Sequence, residues 1–362
     1  MSSLQFHRYR TYHSSVVTKA YSGTPTNGFP SVYDQAYDIG GKFTRITEGL
    51  PHKSHANFSP CVIKHKGATL IAWRSQPEPF VFRPDMKYFY YNNTPTDIWI
   101  GQMLSDDTIV APRKLISKKH RLSYEDPRLF IDPSDSLLCQ FVTSTYATKW
   151  DSTKHKMLKS PKVCTGVIDE YGDLKDRFYP DLGGNMQDGK PEKNWCFFTA
   201  KEELKLLYST QPICIKTPGK KDKVIDSTCL KQLTGNHPTF NSTAPIELDD
   251  EWLVFYHWKH MVKEMDTRPY LMYGLSAYTL DKDLTRITRM MKEPVFIGST
   301  NDDLVTWTDS VGSDISNQPA CILPFGCFVE DGELVMSLGV NDYFMGIFRT
   351  PVNNIMSLMS KV

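Results

Sequence analysis

The chain has 362 residues and a formal charge of +1, with 40% hydrophobic, 23% charged and 12% aromatic residues. That is the make-up of an ordinary soluble globular protein of one to three domains. A near-neutral balance without a basic arm argues against nucleic acid as the partner. Residues 1–10 carry no apolar h-region, so no signal peptide is expected, and no stretch is apolar for long enough to span a bilayer.

Eight cysteines, Cys61, Cys139, Cys164, Cys196, Cys214, Cys229, Cys321 and Cys327, form no C-x-x-C pair, and several lie in apolar runs. They read as reduced, buried small hydrophobes in a cytoplasmic protein. The glycosylation patterns at Asn57, Asn92 and Asn241 then read as chance matches. No His/Asp/Glu grouping has metal-ligand spacing, and Gly183-Gly184 follows no strand-to-helix pattern, so neither a metal nor another cofactor is expected.

In chain order, residues 1–50 are rich in Ser, Thr, Gly, Pro and Tyr without helical period and read as an irregular entry segment, at most with a short strand. From residue 51 to 350 a unit of two apolar strands around a polar turn recurs. Cys61-Val62-Ile63 turns at Lys66-Gly67 into Thr69–Trp73, and Arg128–Ile131 turns at Asp132-Pro133-Ser134 into Leu137–Val142. Cys196-Phe197-Phe198 turns at Lys201-Glu202 into Leu204–Tyr208, and Pro245–Leu248 turns at Asp249-Asp250 into Trp252–Tyr256. Cys327-Phe328-Val329 turns at Asp331-Gly332 into Leu334–Leu338. These are hairpin signatures, each followed by weaker strand text such as Asp97–Ile100 and Tyr273–Tyr278. Residues 351–362 read as a short helix or tail. The recurrence predicts an all-β fold, a single-domain five-bladed β-propeller, with a β-sandwich as the structural alternative.

Polar clusters fall at the start of each unit: Asn57, then Tyr124-Glu125-Asp126-Pro127-Arg128, then Glu192-Lys193-Asn194-Trp195, then residues 237–243, then Pro324-Phe325-Gly326. At equivalent places in successive blades they converge in space. Proline is tolerated at the first residue of a strand, so Asp126 is expected at a strand's mouth beside Arg128, which could hold it or a bound anion. The alternative is a surface turn with a local ion pair.

In order along the chain, Tyr124-Glu125-Asp126-Pro127-Arg128, Glu192-Lys193-Asn194-Trp195, Thr243-Ala244-Pro245-Ile246, Tyr256-His257 and Gly339-Val340-Asn341-Asp342 resemble the family-130 glycoside phosphorylases. These are β-mannoside phosphorylases and hydrolases on a five-bladed propeller, with related β-mannosyltransferases that use a sugar-phosphate donor. The resemblance implies that Asp126 is the catalytic acid, working through a sugar hydroxyl with inversion while phosphate attacks the anomeric carbon. In reverse, Asp126 is the base that deprotonates an acceptor hydroxyl.

The chain departs from that pattern at two cations. Tyr208-Ser209-Thr210-Gln211-Pro212 stands where the family has a His-Arg-Pro type stretch, and Phe240-Asn241-Ser242 stands where a basic residue is expected, His237 being the nearest candidate. Arg74, Arg128, Lys193, His257 and Lys259 remain as cations. The candidate substrate-binding set is Asn57, Arg74, Glu125, Arg128, Lys193, Asn194, His237, His257, Tyr273, Phe325 and Asp342, beside catalytic Asp126. Arg74 as an edge charge, Lys193 and Asn194 as a loop end, His257 as a core histidine and Asp342 as a turn former remain open alternatives. The expected function is inverting transfer of a mannose-like unit from a sugar-phosphate or nucleotide-sugar donor to a glycan. The alternatives are a β-mannoside phosphorylase or hydrolase using phosphate or water, and a non-catalytic glycan-binding propeller.

Overall fold

Two-residue polar turns between apolar runs organise the chain. Lys66-Gly67, Lys201-Glu202 and Asp331-Gly332 all have positive φ at both residues, the backbone that matches the twist of the strands they join. At the second hairpin, Asp132 Oδ1 accepts from the backbone N–H groups of Ser134 and Ser136 at 2.9 Å each and fixes a longer turn.

The protein is a computed structural model that describes residues 30–53, 55–76, 96–116, 122–145, 162–169, 172–178, 193–235, 237–262, 270–299, 307–308, 314–315 and 320–362. Asn92, Gly183-Gly184 and Glu192 lie outside these residues. The first sheet runs Ala56–His65, Ala68–Gln76, Asp97–Met103 and Ile109–Ile116. The second runs Leu122–Ile131, Leu137–Thr145, Lys162–Ile168 and Leu174–Phe178, and the third Cys196–Ala200, Glu203–Thr210, Ile213–Lys216 and Lys223–Ile225. A fourth, seven-stranded sheet is built around Glu251–Val262 and Tyr270–Asp281, with Thr239–Asn241 and Ile246–Glu247 both on its inner edge. The fifth runs Ile322–Glu330, Glu333–Val340 and Phe344–Pro351, and Lys42–Arg45 pairs on its outer side. Each sheet touches the next through its first strands, and the fifth returns to the first. The fold is all-β, a propeller with four four-stranded blades and the larger sheet between the third and the fifth. No helix among the described residues is long and apolar enough to cross a membrane.

All five hairpins read from sequence are present. The entry segment differs: it contains a helix, Val32–Asp38, capped by the Ser31 side chain on the Asp34 N–H, followed by the strand Lys42–Arg45. A seven-residue helix that buries only Val32, Gln35 and Ala36 is too short to leave a clear period. At the other end the helix Val352–Ser357 is as expected, but Met359–Lys361 is a strand on Ile287–Met291 of the fourth sheet.

Alternation along Glu251–Val262 shows how the sheets pack. Leu253 and Phe255 face Leu334, Met336 and Leu338 of the fifth sheet, while Val254, Tyr256 and Trp258 face Leu207, Ile213 and Ile215 of the third. All eight cysteines are free, five of them buried. Asn57 and Asn241 are buried as well, which closes those two glycosylation patterns in the folded chain.

Buried polar side chains lock neighbouring sheets. Ser337 Oγ donates to the Pro60 and Gly326 carbonyls at 2.7 and 3.1 Å, joining the fifth sheet to the first. The strands come so close there that a Cβ on Gly326 would lie 2.5 Å from the Val62 carbonyl oxygen. Asn241 joins the third sheet to the fourth: its Nδ2 donates to the Asn194 and Leu207 carbonyls at 3.1 and 3.0 Å, and its Oδ1 accepts from the Thr210 hydroxyl at 2.9 Å. Replacing it leaves buried carbonyls without donors, each worth on the order of 1–3 kcal/mol. Asn241→Ala is expected to lower the unfolding free energy by about 3 kcal/mol, read as a lower urea midpoint with unchanged slope.

Candidate active site

The innermost strands are irregular at one common level. Pairing slips between Phe58 and Cys61 in the first sheet, between Glu125 and Arg128 in the second and between Pro324 and Gly326 in the fifth. In the fourth sheet the inner edge is broken between Asn241 and Ile246. Ser59, Asp126 and Asn194 all have φ between 51° and 61°. Asp tolerates this left-handed backbone better than most residues, and bulges re-aim side chains at sites. Pro127 is therefore not the first residue of a strand, as expected from sequence. It sits inside Leu122–Ile131, at a bulge, the other place where a strand accepts proline.

The bulge also suspends the alternation of Glu125 and Asp126. Both carboxylates act on Asp342, which lies at the turn ending Glu333–Val340. Burial pushes the Asp342 carboxyl up to about 6, a rise that Arg74 opposes, Asp126 and Glu125 reinforce and Lys193 opposes. The five charged groups thus share one electrostatic neighbourhood. Within it Glu125 is 3% exposed and accepts from Lys193 Nζ at 2.5 Å. Asp126 is half-buried, and its Oδ1 accepts from the Ser59 hydroxyl at 3.3 Å. Arg74 is buried, its guanidinium 4.8 Å above the Phe58 ring. Ser59 is not among the residues expected from sequence. The signal for it is Ser59-Pro60, which repeats Asp126-Pro127 one sheet earlier.

Lys259 faces the same neighbourhood from the fourth sheet. Its Nζ lies 4.9 Å from the Phe240 ring centroid, and its ammonium is held below its ordinary pKa by burial and by the nearby charge of Lys193. Lys193 and Lys259 form a pair of like charges, of which Lys193 is bonded to Glu125.

Several expected ligands have other partners. Arg128 does not hold Asp126. Its guanidinium is buried and donates to the Ser242 carbonyl, to the Asn241 carbonyl at 3.4 Å and to Cys196 Sγ at 3.5 Å. It also stacks 4.8 Å above Phe325, which is packed in the core. Asn57 donates to the His52 and His55 carbonyls at 3.2 and 2.9 Å and accepts from Trp73 Nε1 at 3.2 Å, so its amide builds the wall. His257 is buried among Phe240 and Tyr273, with Nδ1 2.8 Å from the Ser242 hydroxyl. Burial, with Arg128 and Lys259 beside it, pushes its pKa down to about 3, so it is neutral at physiological pH and is not a cation. His237 packs 4.3 Å from the His260 ring, and burial lowers it too. Asn194 is half-buried with its carbonyl held by Asn241, and Tyr273 is half-buried with its ring 5.9 Å from His257. Among the described residues no set of three or more His, Cys, Asp or Glu side chains is arranged to hold a metal ion.

No family model and no curated protein sequence matches the chain. Solved structures do. A β-1,2-mannobiose phosphorylase from Listeria innocua, solved with β-1,2-mannobiose, superposes with a TM-score of 0.55 at 14% identity, over 87% of this chain and 96% of that one. The fold is that of the family-130 propellers. MPT-1, a GDP-Man-dependent mannosyltransferase from Leishmania mexicana, matches with a TM-score of 0.55 at 13% identity, over 89% of this chain and 94% of its own. MPT-4, a mannose phosphorylase from the same organism solved with a phosphate ion, matches with a TM-score of 0.50 at 11% identity over 91% and 95%.

Asp342 sets a pH dependence. Its folded pKa of about 6 lies above the ordinary aspartate value near ~4, so the folded chain binds the extra proton between these limits. The stabilisation is complete below the lower value and is lost as pH rises through the upper one. Against Asp342→Asn, the urea midpoint of the native protein is expected to fall between about pH 4 and pH 6 and then to level off.

Proposed function

We propose that the chain is a carbohydrate-active enzyme on a single-domain, five-bladed propeller, with the seven-stranded sheet as the fifth blade. It transfers a mannose-like unit, with inversion, from an activated phosphate-bearing donor to a glycan. The observation that carries this reading is the half-buried Asp126 at a bulge of the inner strand, with Glu125–Lys193, Lys259, Arg74 and Asp342 around it, on a fold shared with mannoside phosphorylases and a mannosyltransferase.

Asp126 acts as general base. The acceptor hydroxyl gives up its proton to this carboxylate, directly or through a sugar hydroxyl, as its oxygen bonds to the anomeric carbon. The bond from that carbon to the phosphate oxygen breaks, and the electron pair leaves on the phosphate. Lys193 and Lys259 meet that charge, while Glu125 holds Lys193 in place. The Ser59 hydroxyl orients the base. Asp342 and Arg74 contact sugar hydroxyls.

Transfer is favoured over phosphorolysis by the state of the other cations. A free phosphate dianion needs several fixed positive groups, and here Arg128 is engaged by backbone carbonyls and His257 is neutral. A donor already bound through its sugar draws on that binding energy instead. The closeness of Asp342 to Asp126 favours a second reading, hydrolysis, in which a second carboxylate activates water. Incubation with nucleotide sugars and sugar 1-phosphates, with and without mannoside acceptors, separates the readings. New glycoside linkages support transfer, free sugar alone supports hydrolysis, and glycan binding without any turnover supports a binding propeller. Efficient cleavage of β-mannosides by free phosphate overturns the preference for synthesis.

Two substitutions test the roles. Asp126→Asn keeps the shape but neither gives nor takes the proton, and is expected to lower kcat by about 10²–10⁴-fold with KM little changed. Lys259→Met is expected to lower kcat/KM for the donor by about 10²-fold while leaving the affinity for unphosphorylated sugar intact, measured by initial rates and by binding of the free sugar.

A further inference from the structure

A cleft of about 210 Å³ opens between the fifth sheet and the first, at the same end of the strands as Asp126. Arg45, Lys53, His55, Tyr343 and Phe344 line it. It is tied to the active site through the chain itself. Tyr343 follows Asp342, and the Tyr343 carbonyl accepts from the Asn57 N–H at 3.0 Å. On the other wall His55 Nδ1 lies 3.2 Å from the hydroxyl of Ser75, the residue after Arg74. Both walls therefore grow from residues next to site residues, and consecutive Cα atoms are about 3.8 Å apart.

The chemistry of the walls points to a neutral polyol. Tyr343 and Phe344 supply aromatic surface, while Arg45 and His55 supply planar hydrogen-bonding groups. The charge of Arg45 lies against the Phe344 ring, 4.4 Å from its centroid, and that of Lys53 is balanced by Glu48 at 3.2 Å. Burial and the neighbouring His52 hold His55 below its ordinary pKa, against the pull of Asp97. The cleft is smaller than the ~300–1,000 Å³ of a drug-sized pocket, yet has room for a pyranose ring.

Its position suits one role. Lys193, which pairs with Glu125, and Lys259 come from the third and fourth sheets, whereas the cleft lies between the fifth and the first. An inverting displacement needs the attacking oxygen opposite the leaving phosphate, and the Ser59 hydrogen bond leans Asp126 toward the first sheet.

We infer that this cleft is an acceptor subsite: it holds the pyranose ring next to the one whose hydroxyl attacks. The inference rests on the transfer reading and extends it, since it makes a disaccharide a better acceptor than a monosaccharide. Tyr343 stacks on the sugar, and His55 and Arg45 bond its hydroxyls.

The test uses the full chain and β-1,2-, β-1,3- and β-1,4-linked mannobioses, with mannose as the reference. The kcat/KM ratio of the preferred mannobiose over mannose is expected to be about tenfold or more in the native protein and to fall to about one in Tyr343→Ala, the scale of losing one anchoring aromatic. Tyr343→Phe keeps the ring and retains most of the ratio, which guards against a folding defect in the alanine variant. Independently of turnover, the imidazole C–H NMR signals of His52 and His55, rings stacked 4.3 Å apart, are expected to shift and saturate on titration with the preferred mannobiose alone. Saturable shifts without turnover on any donor uphold the cleft and overturn the transfer reading. Turnover with equal kcat/KM for mannose and every mannobiose, or no shift with any of them, overturns the cleft.

Discussion

One buried cation ties the centre of the propeller together. Arg128 leaves the inner strand of the second sheet and donates to carbonyls at the broken inner edge of the fourth, to a thiol of the third, and lies flat on an aromatic ring of the fifth. The second, third, fourth and fifth sheets meet at this guanidinium. Its planar fork of donors satisfies backbone groups that the bulges and breaks take out of ladder pairing, a task that neither lysine nor an apolar side chain can perform. Irregular inner strands are what allow the charged side chains around Asp342 to converge, and Arg128 is what makes that irregularity tolerable.

The division of labour among charged groups follows from depth. Side chains at the level of Arg128 and His257 are closed in by packing, so one is consumed by carbonyls and the other is held neutral. Asp126, Lys193, Lys259 and Asp342 are only half-buried; with the buried Glu125, Asp126, Lys193 and Asp342 share one electrostatic neighbourhood, and Lys259 feels the charge of Lys193.

Much of the fold is legible in the sequence because the hairpins carry their turn chemistry openly: Lys66-Gly67 and Asp331-Gly332 are flanked by apolar runs on both sides. The strands Lys42–Arg45 and Met359–Lys361 are not legible, since four and three residues without alternation acquire their pairing only from distant partners. At the site, the blade-entry clusters indicate Asp126, Glu125 and Lys193, while Arg74 follows an apolar strand and Asp342 comes from the family resemblance; the five share a neighbourhood. What residue types leave hidden is which polar groups the fold itself satisfies. Asn57, Arg128 and Phe325, read as ligands in the chain, are also held by the fold, through backbone carbonyls, a tryptophan N–H and a core that no local pattern encodes.

The pairing of Lys42 with Arg349 also constrains how this protein comes into being. During synthesis the strand Lys42–Arg45 emerges early and has nothing to pair with until Phe344–Pro351 has been made. Every residue between these two strands is thus translated before the ring can shut, and non-local closures of this kind are slow to form. For that interval the earlier sheets stand as an open stack with an uncovered terminal face, the state most exposed to aggregation and to chaperones. The step that shuts the ring also brings the turn bearing Asp342 against the first sheet, so the charged cluster is completed only when the fold is.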